Sequence, residues 1–456
     1  MTKLPRGRRP LDVIPAPTLE LMVPLTRSAG RVAGATGGWV RRVVRVRSGD
    51  SPTKLQAATA ITVLCALALS IGGWYSIDRR ETAIDDAAGA AQQLIRVQDV
   101  RVLVVQADSI ASNAYLQGGQ EERAQREQYD DRVAKAASRL VDVSKAAAGT
   151  DVAVLQQVSA QLATYVGLVE QARSNNRQGY PVGSAYQRQA RTVAEQVVAG
   201  LRTVEQSART RVNDSMERAH RSSWLLLLTA VVLFLVLLAG SLWLAARWHR
   251  LVNVPIAIAA GITLLVLTIG VGVNGGAVSR ASDGVRGPLT SADLIAQARA
   301  AGFDARSNEA LTLIARGNGA AYETQWHASS SIVRAALESS CQQFDSGCTA
   351  QARYAEYGST HESVRKEDNE GRWESAVALV TGSDDADRSL GDPTAEFDAF
   401  AQAAETDLVA DSAAATSSFA DSVGQLGALR VLVVLAGLAV AVLAVIGYGQ
   451  RLREYR

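Results

Sequence analysis

The strongest constraint on this chain is a pair of apolar runs with almost nothing between them. Residues 224–246 read WLLLLTAVVLFLVLLAGSLWLAA, a short polar stretch follows, and VPIAIAAGITLLVLTIGVGV continues to Val273. Each run is about 20 residues, the length an α-helix needs to cross a hydrocarbon layer about 30 Å thick. Inside such a layer the backbone must satisfy its own hydrogen bonds, so each run is expected as helix. Two spans joined so closely must cross, turn and cross back.

Two further apolar blocks occupy residues 55–76 and 428–448, which brings the expectation to four transmembrane helices. Ser70-Ile71-Gly72 could pass for a signal-peptide cleavage site, but the charged region before it would be far longer than such signals carry, so an uncleaved anchor is the better reading. Residues 1–54 hold 11 Lys and Arg against 3 Asp and Glu. Arg247 and Arg250 mark the hinge 247–253, and Arg451, Arg453 and Arg456 mark the tail 449–456. These three basic pieces share one face, which the positive-inside rule makes cytoplasmic, with both termini inside a plasma-membrane protein. The long segments 77–222 and 274–427 then lie outside. The first is nearly neutral, with 19 basic and 18 acidic residues, whereas the second is acidic, with 11 against 23. An acidic surface of that kind repels nucleic acid, so no nucleic-acid partner is expected. The basic run 39–47, where apolar and basic residues alternate before the first span, either takes membrane lipids as partners or serves only to fix topology.

Both outer segments read as helix almost throughout. In the first, helices are expected over about 77–117, 121–148, 151–174 and 184–222, with breaks at Gly118-Gly119, near Gly149, and in the loop 175–183. In the second, the corresponding stretches are about 277–316, 320–344, 349–380 and 393–426, and Gly287-Pro288 marks either a kink or the true start of the first. The first and last helix of each set feed directly into spans. The fold class is therefore an all-α membrane protein, with four transmembrane helices and two extracytoplasmic up-down four-helix bundles arranged as an internal repeat.

Catalytic chemistry is hard to find. Cys341 and Cys348 flank a turn in an oxidising compartment and are expected to form a disulfide. His220, His249, His327 and His361 are scattered, and each reads as a surface or interfacial residue rather than a metal ligand. The run Arg365-Lys366-Glu367-Asp368 reads as a solvated helix face. No glycine-rich phosphate loop, catalytic dyad or cofactor motif survives. The cytoplasmic pieces are too short to house a kinase or cyclase, so the chain is expected to be non-enzymatic, with no cofactor and no metal, handing any signal to another protein. Homo-oligomerisation is left open.

The paired halves, the hinge Arg247-Trp248-His249-Arg250-Leu251-Val252-Asn253-Val254-Pro255, the loop Asn176-Arg177-Gln178-Gly179-Tyr180-Pro181-Val182-Gly183-Ser184-Ala185-Tyr186 and the tail Arg451-Leu452-Arg453-Glu454-Tyr455-Arg456 resemble the actinobacterial GlnX family. The resemblance implies a relay between an external amino-acid-binding lipoprotein, GlnH-like, and a cytoplasmic serine/threonine kinase, PknG-like, with glutamate or aspartate as the cue. The family supplies no residue-level site; candidate partner contacts, taken from the distal loop and the basic hinge, are Arg177, Tyr180 and Pro181 outside and Arg247 and Arg250 inside. Two other readings compete: a direct small-molecule sensor with ligand held between bundle helices, and a structural envelope scaffold.

Overall fold

The computed structural model describes residues 51–118, 121–221, 224–248, 253–383 and 385–453. The basic segment before residue 51, hinge residues His249, Arg250, Leu251 and Val252, and the last three tail residues lie outside that set. Among the described residues every regular element is a helix: α1 (Ser51–Gln117), α2 (Arg123–Lys145), α3 (Asp151–Arg177), α4 (Val182–Arg221), α5 (Trp224–Trp248), α6 (Val254–Gly284), α7 (Thr290–Ile314), α8 (Ala320–Phe344), α9 (Cys348–Asn369), α10 (Trp373–Thr381), α11 (Pro393–Val423) and α12 (Leu426–Arg453).

α1 runs for 67 residues without proline after Pro52, so it is a rod about 100 Å long. α6 and α7 form a comparable rod, joined by a single π-helical turn at Val285–Leu289. Pro288 has no N–H to donate, and the widened turn absorbs that loss without a break. The Thr290 hydroxyl donates to the Val285 carbonyl at 2.7 Å, which caps one of the carbonyls the turn frees. Gly287-Pro288 thus lies inside one continuous helical path and is not a helix start.

The apolar ends of α1, α5, α6 and α12 pack as a square, α1 against α5 and α12, and α6 against α5 and α12. Leu69, Leu226, Leu233, Ile256, Val266, Val433 and Tyr448 fill its centre. Its outside carries Ile71, Trp224, Leu242, Leu265 and Leu435, all more than half exposed. An apolar belt of that extent on a folded surface fits hydrocarbon rather than water. Helices here approach closely through small residues: a Cβ on Gly437 would lie 2.0 Å from Ser70 Oγ and 2.8 Å from the Ala66 carbonyl.

Among the described residues five helices are long and apolar enough to cross a membrane, one more than the sequence reading counted; the fifth is Asp151–Arg177. α3 differs from the other four in where its apolar side chains go. Leu155, Val158, Leu162, Tyr165 and Val169 are buried in a core shared with α1, α2 and α4. Its apolarity is accounted for by packing inside the bundle.

In the second half α7, α8, α9 and α11 surround Phe303, Trp326, Tyr354, Tyr357, Phe397 and Phe400. The third helix, expected unbroken over about 349–380, is split into α9 and α10. Gly371 supplies the turn at φ 80°, a conformation that costs glycine little and other residues more.

Candidate signal-receiving site

The two halves are not separate bundles tied only at the hinge. α1 and α7 run side by side in the same direction, at a nearly fixed offset along the chain. Arg80 donates to the Asn274 carbonyl, Gln98 pairs with Asp293, and the hydroxyls of Ser112 and Ser307 lie 3.0 Å apart, at sequence separations of 194, 195 and 195. Much of α7 is small and buried, Ala298, Ala301 and Ala305 among them, and Gly302 on its other side faces the Phe400 ring of α11. α1 accordingly belongs to both cores: Val102 and Val105 pack with Ile295 and Phe303, while Val100 and Val104 pack with α4 residues Val197 and Leu201.

Toward the tip end of this seam, one turn below Ser112, sits an ionic knot. Arg191 of α4 donates to Asp108 of α1 at 2.8 Å, pairs with Asp304 of α7, and reaches Glu195 at 3.1 Å. Ser307 donates to Asp108 at 2.7 Å, and Ser329 of α8 donates to Asp304. Burial works against the Arg191 charge, but Asp108, Asp304 and Glu195 more than offset it and hold its pKa above the ordinary arginine range. Nearer the apolar layer, Arg101 and Glu205 form a second buried pair at 3.0 Å. There burial dominates, pulling the Arg101 pKa down and pushing that of Glu205 up against the attraction between them. Both pairs link elements rather than adding much stability, because the cost of removing two charges from water nearly cancels their attraction.

At the far end of the rods the two halves meet in an open groove of about 940 Å³. Leu116 and Gln117 of α1 form one side, and Trp373, Val377 and Ala378 of α10 the other. Glu122, Glu374, Asp385 and Asp387 line it, with no Lys or Arg among the described residues. Trp373 is fixed by its indole N–H, which donates to the Leu313 carbonyl at 2.9 Å, and by Arg316, whose guanidinium lies 4.0 Å from the ring centre. Arg177, at the end of α3, and Tyr180 and Pro181, on the loop that follows it, are exposed nearby. That loop is tied to the same end of α1, where the Asn176 amide donates to the Tyr115 carbonyl at 3.0 Å. Chemically the surface is an apolar floor with a carboxylate rim, suited to a partner presenting basic groups around an apolar contact.

A third cluster lies beneath the tip of the second half. His361 stacks flat on Trp326, ring centres 3.6 Å apart. Its Nδ1 lies 2.7 Å from Glu309 and its Nε2 3.3 Å from Glu323. Arg306 and the Tyr357 hydroxyl also donate to Glu309. Burial alone would lower the His361 pKa, but hydrogen bonds to Glu309 and Glu323 more than compensate and raise it above 6.5. Burial opposes the charge on Glu309 too, and His361 and Arg306 overcome it, lowering that pKa. His361 is therefore not the surface or interfacial residue its sequence context suggested, since it is only 1% exposed. The run 365–368 is likewise more than a solvated face: Arg365 pairs with Glu323 and Asp368, and Glu367 with Arg372. Among the described residues no group of three or more His, Cys, Asp or Glu is placed to hold a metal ion.

Cys341 and Cys348 are bonded, with Cα atoms 4.9 Å apart, across the α8–α9 turn. That turn packs beside Ile295 and against Asp407 and Asp411 of α11, well away from the tip groove. Arg247 lies in α5, and Arg250 falls outside the described residues. Sequence reasoning did not single out Arg191, Asp108, Asp304, Glu309 or Arg306. One signal was present, namely charges embedded in otherwise small and apolar helical stretches such as VLVVQADSIASNA and AAGFDARSNEALTLIA.

Residues 83–217, which span the outer part of α1 through α2 and α3 to near the end of α4, match the family model of an actinobacterial sensor domain. No curated protein matches the chain.

Proposed function

We propose that this chain is a non-enzymatic transmembrane signal transducer, with four spans, two outer helical bundles related as an internal repeat, and both termini in the cytoplasm. It senses external glutamate or aspartate indirectly, by reading a GlnH-like solute-binding lipoprotein, and passes the result to a PknG-like serine/threonine kinase. The sensor-domain match over 83–217 supports the sensing role. α3 counts as a bundle helix in this reading because its apolar side chains are spent on the bundle core.

The observation that carries the proposal is the seam. α1 and the α6–α7 rod each run from the apolar layer to the tip groove and are joined at Arg80, Gln98, Asp108 and Ser112. A partner that changes the spacing of α1 and α10 at the tip acts on two continuous helices at once. Such a pair transmits a shift or tilt if two arrangements of the seam are close in energy. The buried Arg191 knot has alternative carboxylates within reach on α1, α7 and its own helix.

The test is a photo-crosslinker at Tyr180 or Glu374 of the full chain in its native membrane. Recovery of a solute-binding lipoprotein, dependent on glutamate or aspartate, is expected. Co-purification of a serine/threonine kinase on the cytoplasmic side is expected alongside it. Recovery of neither partner would remove the relay.

A second reading is a direct small-molecule sensor. It is favoured by the groove of about 890 Å³ between α8 and α9, floored by Trp326, Tyr354 and His361 and edged by Arg334 and Arg365. Calorimetry with amino acids on the purified full chain separates the two, since the relay gives no heat without the lipoprotein.

A further inference from the structure

Where α1 leaves the apolar layer, a groove of about 720 Å³ opens between its residues 75–83 and the facing ends of α4 and α5. Three guanidiniums line it, from Arg79, Arg218 and Arg221, and among the described residues no carboxylate does. This is unexpected on the face assigned to the outside, where the positive-inside bias places few basic residues close to a span. Asp86 holds Arg218 at 2.9 Å and Glu217 holds Arg221, each from beside the groove rather than within it. Arg79 lies 4.7 Å from the centre of the Tyr75 ring, and no carboxylate contacts it among the described residues.

The level of the groove is also defined. Tyr75 and Trp224 sit on its lower wall and are 42% and 64% exposed, the position such rings take between headgroups and hydrocarbon. Below them Leu225 enters the groove and Ile71 and Leu228 continue an exposed apolar surface. A ligand that fits must therefore be anionic at one end and aliphatic at the other. Arginine's fork suits phosphate oxygens in particular, since it can donate two parallel bonds to them.

We propose that this groove binds the phosphate headgroup of an anionic phospholipid of the outer leaflet, with an acyl chain descending past Trp224 and Leu225. The proposal rests on the membrane-spanning reading of α1 and α5. Bound there, the lipid bridges α1 to the ends of α4 and α5, so membrane composition would bias the same rods that carry the signal. The positive lining and absence of acids within it favour this occupant over a protein partner, whose docking would have to displace lipid from the belt beneath.

The experiment uses the full chain in phosphatidylcholine nanodiscs doped with photoreactive phosphatidylglycerol or, separately, photoreactive phosphatidylcholine. Labelling is mapped by peptide, which separates the outer groove from the basic segment before α1. At the peptides carrying Tyr75 and Trp224, phosphatidylglycerol should label at least about 5-fold more than phosphatidylcholine, the preference that one basic residue near the surface supplies. R79Q breaks no ion pair and should lower that ratio, and the triple variant R79Q/R218Q/R221Q should bring it close to parity. A wild-type ratio at parity, or a ratio unmoved in both variants, overturns the proposal. Labelling of the belt at Leu235 and Leu242 by either probe reports the spanning reading independently, and its absence would instead count against that reading.

Discussion

Arg191 is the residue at which the halves are most tightly tied, because its guanidinium joins α4 to Asp108 on one rod and Asp304 on the other. Replacing it with alanine leaves Asp108, whose side chain is fully buried, without its ion partner. The expected loss is about 3–5 kcal/mol in chemical denaturation of the detergent-solubilised chain. His361 gives a pH signature of known sign. Its folded pKa is raised above 6.5, so its contribution is complete below the unfolded value and disappears as pH rises through the folded one. Glu309 and Glu323 are lowered from 4.5, so theirs is present above that value and disappears as pH falls through the folded ones. The melting temperature should therefore fall on the alkaline side of the His361 titration, and H361Q should lose most of that dependence. An unchanged pH profile in H361Q would show that the Glu309 network does not depend on the imidazolium. Their partners could not be read from sequence alone, since the pairing of Asp108 with an arginine 83 positions away depends on how three helices dock.

At the level of elements, the sequence announces helices well and their company poorly. The proline-free run through α1 and the four apolar blocks were legible because periodicity and length are local properties. The sharing of α1 between two cores was not, because both faces of VRVLVVQA are apolar and nothing in the sequence says which neighbour takes which face. The split between α9 and α10 turns on Gly371, one glycine among many. Close approach is equally hidden: Gly302 of α7 faces the Phe400 ring, and a Cβ there would lie 2.5 Å from Cε1. Phe400 is fully buried, so its ring has little room to yield, and G302A should cost about 1–3 kcal/mol by overpacking, read as a lowered denaturation midpoint. The disulfide closes a short loop, so C341S/C348S is expected to cost about 2–3 kcal/mol, measured the same way against the oxidised parent. Because the turn sits away from the tip, partner crosslinking at Tyr180 should survive in that variant.

For the whole molecule the consequence is that signalling and coupling are separable. Ser112 and Ser307 touch across the seam, so S112C/S307C should form a bond on oxidation that fixes α1 to α7. If the proposed relay holds, tip binding is expected to persist in the oxidised protein while the ligand-dependent change in kinase co-purification disappears, and reduction should restore it. A response that survives oxidation would place the moving part elsewhere, between α4 and α5 for example. The distal position of the loop carrying Tyr180 was readable in advance from its Gly and Pro breaks between two helical stretches. The acidic groove beside it was not, because it is assembled from α1 and α10, elements more than 250 residues apart in the chain.

The constant offset along the seam carries one further consequence. Two parallel helices paired at several points act as rulers cut to a common scale, and neither can change length alone. Removing one residue from α1 between Arg80 and Ser112 would rotate everything beyond it by about 100° about the helix axis. Gln98, Asp108 and Ser112 would then face away from α7 unless the cut fell outside that stretch. A matching deletion in α7 restores the register only if both cuts fall at the same height. The height of the tip above the membrane is thus a property of the pair, fixed jointly by two stretches of chain that the sequence keeps nearly two hundred residues apart.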